Sequence, residues 1–299
     1  MTMKRSKRKN HSYLSSQKIA PYGFCAPFLL FFVVFMVYPF CYMIYLSFTE
    51  WSGFGDKVWV GFANFDYLLH DKIFWQTIWN GIVIFFMHVP LMLFMALIFA
   101  VLLNSSLTRA KGLFRTMIYL PNITNVVAVS FVFTMLFSFD GYINSLLVDL
   151  GFDKINFLST PFGARAIIGG LVTWRWMGYN TLLMLAALQN IPKDVLEAAN
   201  IDGASRVQSF FHIIVPLIKP IIIFATILST TGTFSLIAEP MLVTEGNPGY
   251  TTLSTTLYLY NESFQGFNFG YASAIGIAYF ILMCAISLVQ LRLSGEKKD

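Results

Sequence analysis

Two short runs hold the polar and aromatic side chains least explained by exposure to lipid. One is Thr173-Trp174-Arg175-Trp176-Met177-Gly178-Tyr179-Asn180-Thr181, and the other is Ser229-Thr230-Thr231-Gly232-Thr233-Phe234-Ser235. Hydroxyl, amide and guanidinium groups exchange hydrogen bonds, while Trp and Tyr rings offer flat apolar faces. A polyhydroxylated solute such as a sugar needs both, because its ring is polar at the rim and C–H-rich on its faces. The candidate solute path is therefore Trp174, Arg175, Trp176, Gly178, Tyr179, Asn180, Ser229 and Thr233, with Gly178 and Gly232 allowing close approach. The same residues fit a second reading. The Trp side chains could form an interfacial belt, and the Ser and Thr hydroxyls could bond back to their own helix or join helices. Arg175 is expected to line a wet cavity, donating to hydroxyls or holding Glu239, the acid nearest in depth, as a gate. Asn122, Thr124 and Asn125 are weaker candidates, since they could cap a helix broken near Pro121.

Other chemistries find little support. Cys25, Cys41 and Cys284 lie inside apolar runs and form neither a disulfide framework nor a metal-ligand spacing. His11, His70, His88 and His212 are scattered, so no metal site and no nucleophile–base pair is expected. No Gly-x4-Gly-Lys-Ser/Thr phosphate loop occurs, so no cofactor is expected and any ATP must be bound elsewhere.

The elements that position these runs are membrane helices. Only 12% of the 299 residues are charged and 57% are hydrophobic, against roughly a quarter charged in a soluble domain. Six spans are expected near Tyr22 to Phe48, Ile78 to Leu103, Phe114 to Phe139, Ala166 to Leu188, Leu217 to Ala238 and Ala272 to Leu293, each able to cross a bilayer core of about 20 residues. The first is too long, and too rich in Tyr and Pro, for a cleaved signal peptide. The fold class is all-α, a polytopic bundle of six transmembrane helices. Residues 1–21 form a basic arm, 22–293 the membrane domain and 294–299 a tail. The arm (Lys4, Arg5, Lys7, Arg8, Lys9, Lys18) and alternate loops (Arg109, Lys111, Arg115; Lys193, Arg206, Lys219) hold most of the basic residues. Both termini are then expected in the cytoplasm of a cell-membrane protein. The arm suits anionic lipid rather than nucleic acid. The stripe Gly266, Gly270, Ala274 and Ala278 reads as helix packing.

Between spans four and five lies a stretch not built for lipid, residues 190–216. Pro192 suits a first helical position, and Asp194 and Glu197 sit where the helix dipole favours acids. Asp202-Gly203 supplies a stop with glycine in the left-handed conformation. Ser205 and Gln208 form a capping box opening a second helix, and Pro216 and Pro220 mark entry to span five. Such a helix–turn–helix suits docking against another protein. Lying on lipid is the alternative, but few Lys or Arg residues support that.

Glu197-Ala198-Ala199, Asp202-Gly203-Ala204, Phe210, Ile213 and Pro216 resemble the EAA loop of permease subunits of binding-protein-dependent ABC importers. "GFANFDYLLHDKIFWQTIWN", "FRTMIYLPNI", "LAALQNIPKDVLEAA" and "GYASAI" extend the resemblance over most of the chain from Gly61, most closely to the carbohydrate-uptake, MalF-like type I branch. The chain departs from the family at Gly246-Asn247-Pro248, where Gly-Gly-Pro is usual and Asn can replace a turn glycine, and at Val215, where Leu is usual. The resemblance implies a solute-translocating subunit that is not itself an enzyme. It also implies partners: a second permease subunit, two cytoplasmic ATPase subunits docked on the 190–216 loop, and an extracellular or periplasmic solute-binding protein delivering a sugar or oligosaccharide. Two alternatives remain: a phosphorylated polyol such as glycerol 3-phosphate meeting Arg175, and an ion-coupled secondary carrier. The latter needs buried carboxylates, and no Asp or Glu is expected clearly inside a span.

Overall fold

The computed structural model describes residues 21–293 except Gly23 and 106–109. The expected basic arm and tail lie outside the described residues, apart from Pro21 at the arm's end. Twelve helices are described, with one minimal hairpin. They are α1 (Phe24–Ser47), β1 (Thr49–Glu50), β2 (Val58–Trp59), α2 (Ala63–His70), α3 (Lys72–Asn104), α4 (Lys111–Ile123), α5 (Val126–Phe137) and α6 (Tyr142–Asp149). There follow α7 (Pro161–Gln189), α8 (Lys193–Ile201), α9 (Val207–Phe234), α10 (Ala238–Val243), α11 (Thr255–Phe264) and α12 (Phe269–Leu293). The two strands pair antiparallel, Thr49 opposite Trp59.

Among the described residues, five stretches are long and apolar enough to cross a membrane: α1, α3, the α5–α6 stretch Val126–Asp149, α9 and α12. Helix α7 has 29 residues, ample for a bilayer, and falls outside that apolar set. Its polar middle, Thr173 to Thr181, accounts for the difference. It belongs among the spans because it runs along α3 as the most extensive helix pair of the molecule. The expected third span, Phe114 to Phe139, is not one helix. It breaks at Thr124, and the Asn125 side chain accepts from the Val127 N–H at 2.8 Å, starting α5 afresh. Local side-chain capping competes here with helix continuation.

The centre is built where α3, α7 and α9 meet. Val89, Met92, Ala96 and Ala100 of α3 pack on Met184, Leu185 and Leu188 of α7, with Ile218 and Ala225 of α9 closing the cluster. Ala96 and Ala100, both fully buried and one turn apart, let backbones approach. In lipid such close packing replaces the hydrophobic drive between helices. The apolar window of α1 holds no buried residue, so its Phe residues face outward along most of its length. Of the small-residue stripe, Gly270 lies against strand β1, where a Cβ would land on the Thr49 carbonyl, and Ala274 is fully buried.

Candidate solute path and coupling loop

A cavity of about 430 Å3 opens where the middle of α7 faces the C-terminal half of α9 and the short helix α10. That volume lies within the roughly 300–1,000 Å3 of small-molecule sites. Arg175, Trp176, Tyr179 and Asn180 of α7 line it, as do Ser229 and Thr233 of α9. The pairs 175/179, 176/179 and 176/180 lie three or four positions apart, which sets neighbouring side chains along one side of the helix. Trp176 and Tyr179 meet edge to face, ring centroids 5.9 Å apart.

Arg175 is mostly buried. Its Nη1 donates to Glu239 Oε1 at 2.5 Å, and the two side chains are only 13% and 7% exposed. Ile237, Ala238 and Glu239 turn back over the cavity after α9 ends, which brings the carboxylate to an arginine 64 residues earlier. Glu239 is buried at the start of α10, beyond the end of α9 and so outside the spans, and it is charge-paired to a residue inside α7.

Two expected path residues sit elsewhere. Trp174 turns toward α5, its ring 6.1 Å from that of Phe133, and does not line the cavity. One residue is about 100° around a helix, which separates it from Arg175. Gly178 is a packing contact: a Cβ there would collide with the Ile118 carbonyl of α4. By contrast, Gly232 lines the cavity and an added Cβ would meet nothing within 4 Å.

The alternative role for the hydroxyls is also present. Thr226, Thr230, Thr231 and Thr233 of α9 donate to carbonyls four residues back, as Thr181 does in α7. Asn180 donates from its amide to the Trp176 carbonyl at 3.0 Å and, more loosely, to Met92 Sδ. Both readings therefore describe part of the same wall.

In the 190–216 loop, α8 ends as its residues dictate. Gly203 adopts φ +79°, Asp202 N–H donates to Ala198 O at 2.9 Å and Ala204 N–H to Ala199 O at 3.0 Å. This left-handed stop satisfies carbonyls that the helix end would leave open. Ser205 N–H donates to Gln208 Oε1 at 2.8 Å and Gln208 N–H to Ser205 Oγ at 3.3 Å, a reciprocal capping box. Glu197, Ala198, Asp202, Gly203 and Pro216 are exposed, Phe210 is half-buried, and Ala199 is buried beneath the helix. Val195, Ile201, Val207 and Phe211 add exposed apolar area around the turn.

The second helix of this loop is not separate from span five. α9 runs unbroken from Val207 through Pro216 into the membrane. A single π turn at Phe210–Ile214, in which Val215 N–H donates to Phe210 O, inserts an extra residue just before the proline that lacks an N–H. The loop's second arm and a membrane helix are therefore one rod.

Residues 92–297 match the family described as "Binding-protein-dependent transport system inner membrane component". The chain belongs to that family. The permease is 39% identical over 280 residues to the lactose transport system permease protein LacF of Rhizobium radiobacter, covering 92% of this chain and 94% of the relative. It is 31% identical to the trehalose/maltose transport system permease protein MalF of Thermococcus litoralis, covering 91% and 92%. These relatives occupy the carbohydrate-uptake branch of ABC importer permeases that the sequence resembles. The fold matches a solved bacterial alginate ABC transporter, crystallised in complex with an alginate pentasaccharide-bound periplasmic protein, with TM-score 0.81 and 23% identity over 95% of this chain and 96% of that one.

Sequence reasoning passed over several residues of the permease that the fold brings together. His88 lines the cavity from α3, although its sequence context is wholly apolar. Asn80, also in α3, donates to the Tyr250 and Leu253 carbonyls, while Arg165 of α7 donates to Asn80 Oδ1 and to Thr251 O, both at 2.8 Å. Together they pin the loop between α10 and α11. A polar residue every helical turn on one face of α3, at Asn80 and Thr77, was the available signal. In that loop Asn247 does not take the left-handed position; Glu245, Gly246, Gly249 and Tyr250 do.

Proposed function

We propose that this permease passes a sugar or oligosaccharide through the cavity between α7 and α9. The solute is handed over by an extracellular or periplasmic binding protein. A second permease subunit completes the pore, and two cytoplasmic ATPase subunits drive it through the 190–216 loop, with both termini in the cytoplasm. The continuity of the loop's second arm with α9 supports this division of labour, since a push on the turn at Gly203 is carried along a helix that lines the cavity.

The observation that carries the solute class is the buried Arg175–Glu239 pair. These are the charged side chains in the cavity wall among the described residues, and they neutralise one another. What remains for a solute is aromatic faces, hydroxyls and an amide, which suits a neutral polyol. An anion such as a phosphorylated polyol would meet the Glu239 carboxylate beside the guanidinium. The relatives named for lactose and for trehalose/maltose point the same way.

The test is reconstitution of the permease with its partner permease, ATPases and binding protein in vesicles. Uptake of a neutral di- or oligosaccharide that requires both ATP and the binding protein is expected. Uptake driven by an ion gradient without ATP, or restricted to phosphorylated solutes, would overturn the reading.

A further inference from the structure

A second cleft of about 380 Å3, sharing no residue with the solute cavity, lies between the β1–β2 hairpin, α2 and the turn from α11 to α12. It sits where α3 begins. The broken third span and α7 then cross in turn, so the Gly203 turn, which follows α7, is on the opposite face of the bundle. Trp51, Tyr67 and Phe267 give the cleft its rings, and Glu50, Glu262 and Asn268 give it two carboxylates and an amide. Glu50, Tyr67, Phe267 and Asn268 are exposed and Glu262 is half-buried, so a partner can reach them. In β1 Thr49 turns inward and Glu50 outward, and across the cleft Glu262 Oε2 accepts from Asn268 Nδ2 at 3.0 Å. The walls are tied together before anything binds. Phe269 N–H donates to the Trp51 carbonyl at 3.0 Å, and Asn64 donates to the Ser47 and Thr49 carbonyls.

Neither carboxylate has a basic group within ion-pairing distance among the described residues. Lys57, the nearest basic residue in sequence to Glu50, lies outside the cleft wall, its ammonium 4.7 Å from the centre of the Trp51 ring and 5.6 Å from that of Tyr42. Two reachable, unpaired carboxylates beside aromatic rings call for a cation. A bare divalent ion takes about six or more oxygen ligands, and no group of three His, Cys, Asp or Glu side chains among the described residues could hold one. A guanidinium fits better, because it is planar, weakly hydrated, forked toward carboxylates and able to stack on rings. We propose that this cleft is a docking point for the solute-binding protein, receiving an arginine side chain that pairs with Glu50 and Glu262 and lies against the aromatic wall. The proposal rests on the hand-over by a binding protein put forward above. In that reading the ATPases hold the Gly203 face, which leaves this face to the binding protein.

The test measures capture of the transporter's own binding protein by the ATPase-bound permease complex in nanodiscs, at low and high salt. Glu50→Gln with Glu262→Gln keeps both side-chain lengths and leaves Asn268 an amide oxygen to donate to, so both variants should retain their ATPases as the wild type does. Together they should slow association and weaken capture about tenfold at low salt, and less at high salt. Asp56→Asn with Asp66→Asn removes the same charge from exposed positions outside the cleft and should stay within about twofold. Arginine-to-glutamine exchanges over the binding protein should then reveal one that costs the same factor with the wild type and nothing further with the Glu50→Gln, Glu262→Gln pair. Unchanged capture by that pair, or equal losses in the two double variants, would overturn the docking point. Capture that a chelator abolishes in the wild type alone would put a metal ion in the cleft and overturn the arginine. If the wild type neither captures a binding protein nor needs one for uptake, the hand-over reading itself falls, and this contact with it.

Discussion

Gly178 of α7 lies directly against the main-chain carbonyl of Ile118 in α4. Backbone meets backbone there, so nothing flexible can yield. Gly178→Ala should force α4 from α7 and cost about 1–3 kcal/mol, the usual scale of overpacking. Gly232→Ala should leave stability unchanged, since its Cβ would enter open space, but it narrows the cavity. Thermal unfolding of the detergent-purified transporter checks the first and uptake the second. Equal melting temperatures for Gly178→Ala and wild type would show that α4 is free to move.

A second staple ties the start of α3 to α11 and α12. Asp71 caps α3 by accepting from the Ile73 N–H at 2.8 Å, and its other oxygen accepts from Tyr258 OH at 2.6 Å and from Tyr271 OH. Burial, and then the hydrogen bond to Asp71, push the Tyr258 phenol well above its ordinary range, which keeps it a donor. Asp71→Ala removes a cap worth about 1 kcal/mol and leaves two buried hydroxyls without their acceptor, at about 1–3 kcal/mol each. Tyr258→Phe should cost far less, because Asp71 keeps its other two donors. Matching melting curves for the two variants would contradict this ordering.

How much of this was legible in the sequence depends on the range of the interaction. Gly203, Ser205 and Gln208 act within four residues, and their stop and capping box could be read off the chain. The spans were legible from apolar length, except where Asn125 offers a local cap and splits the third. Arg175 announced itself, since an arginine at a helix centre costs roughly 2.5–3.5 kcal/mol and must be compensated. Trp174 and Gly178 were misassigned because helical phase decides between cavity and packing contact, and phase depends on the neighbours. The His88–Thr233 contact and the bonds from Tyr258 and Tyr271 to Asp71 were invisible because they join residues 145, 187 and 200 positions apart.

The coupling reading makes a prediction at Gly203. With φ at +79°, a β-branched residue there costs at least about 1–2 kcal/mol locally. Gly203→Val should insert into the membrane at normal levels, because the turn is exposed and nothing in the bundle depends on it. It should fail to retain the ATPase subunits on purification and should abolish uptake. Co-purification with normal uptake would remove this turn from the docking surface.

Topology is open to a labelling test. The native Cys25, Cys41 and Cys284 are exposed on the isolated chain, so they are first replaced by alanine. Single cysteines are then placed as Ser6→Cys, Ser294→Cys and Asn247→Cys, the last on the exposed loop between α10 and α11. In intact cells an impermeant thiol reagent should label only Asn247→Cys, as the alternating Lys and Arg bias requires. Labelling of Ser294→Cys with none at Asn247→Cys would invert the orientation and place the Gly203 turn outside.

The Arg175–Glu239 pair supports a double-variant experiment that separates folding from transport. Removing one partner of a buried pair strands the other, at about 3–5 kcal/mol, so Arg175→Met and Glu239→Gln should each lower the yield of folded transporter. Arg175→Met with Glu239→Gln removes both charges, keeps similar volumes and should restore the yield, because neutral replacements of buried pairs are often tolerated. Transport is the discriminating readout. If the pair gates the cavity or meets the solute, the double variant should fold, bind its ATPases and still import poorly, by tenfold or more for the loss of charged hydrogen bonds of about 1.5–3 kcal/mol. Affinity of the binding protein for sugar should not change, since that site is on another polypeptide. Full recovery of both folding and uptake would reduce Arg175 and Glu239 to a structural clamp between α7 and α10, and the path would have to be sought along Trp176, Tyr179 and Ser229.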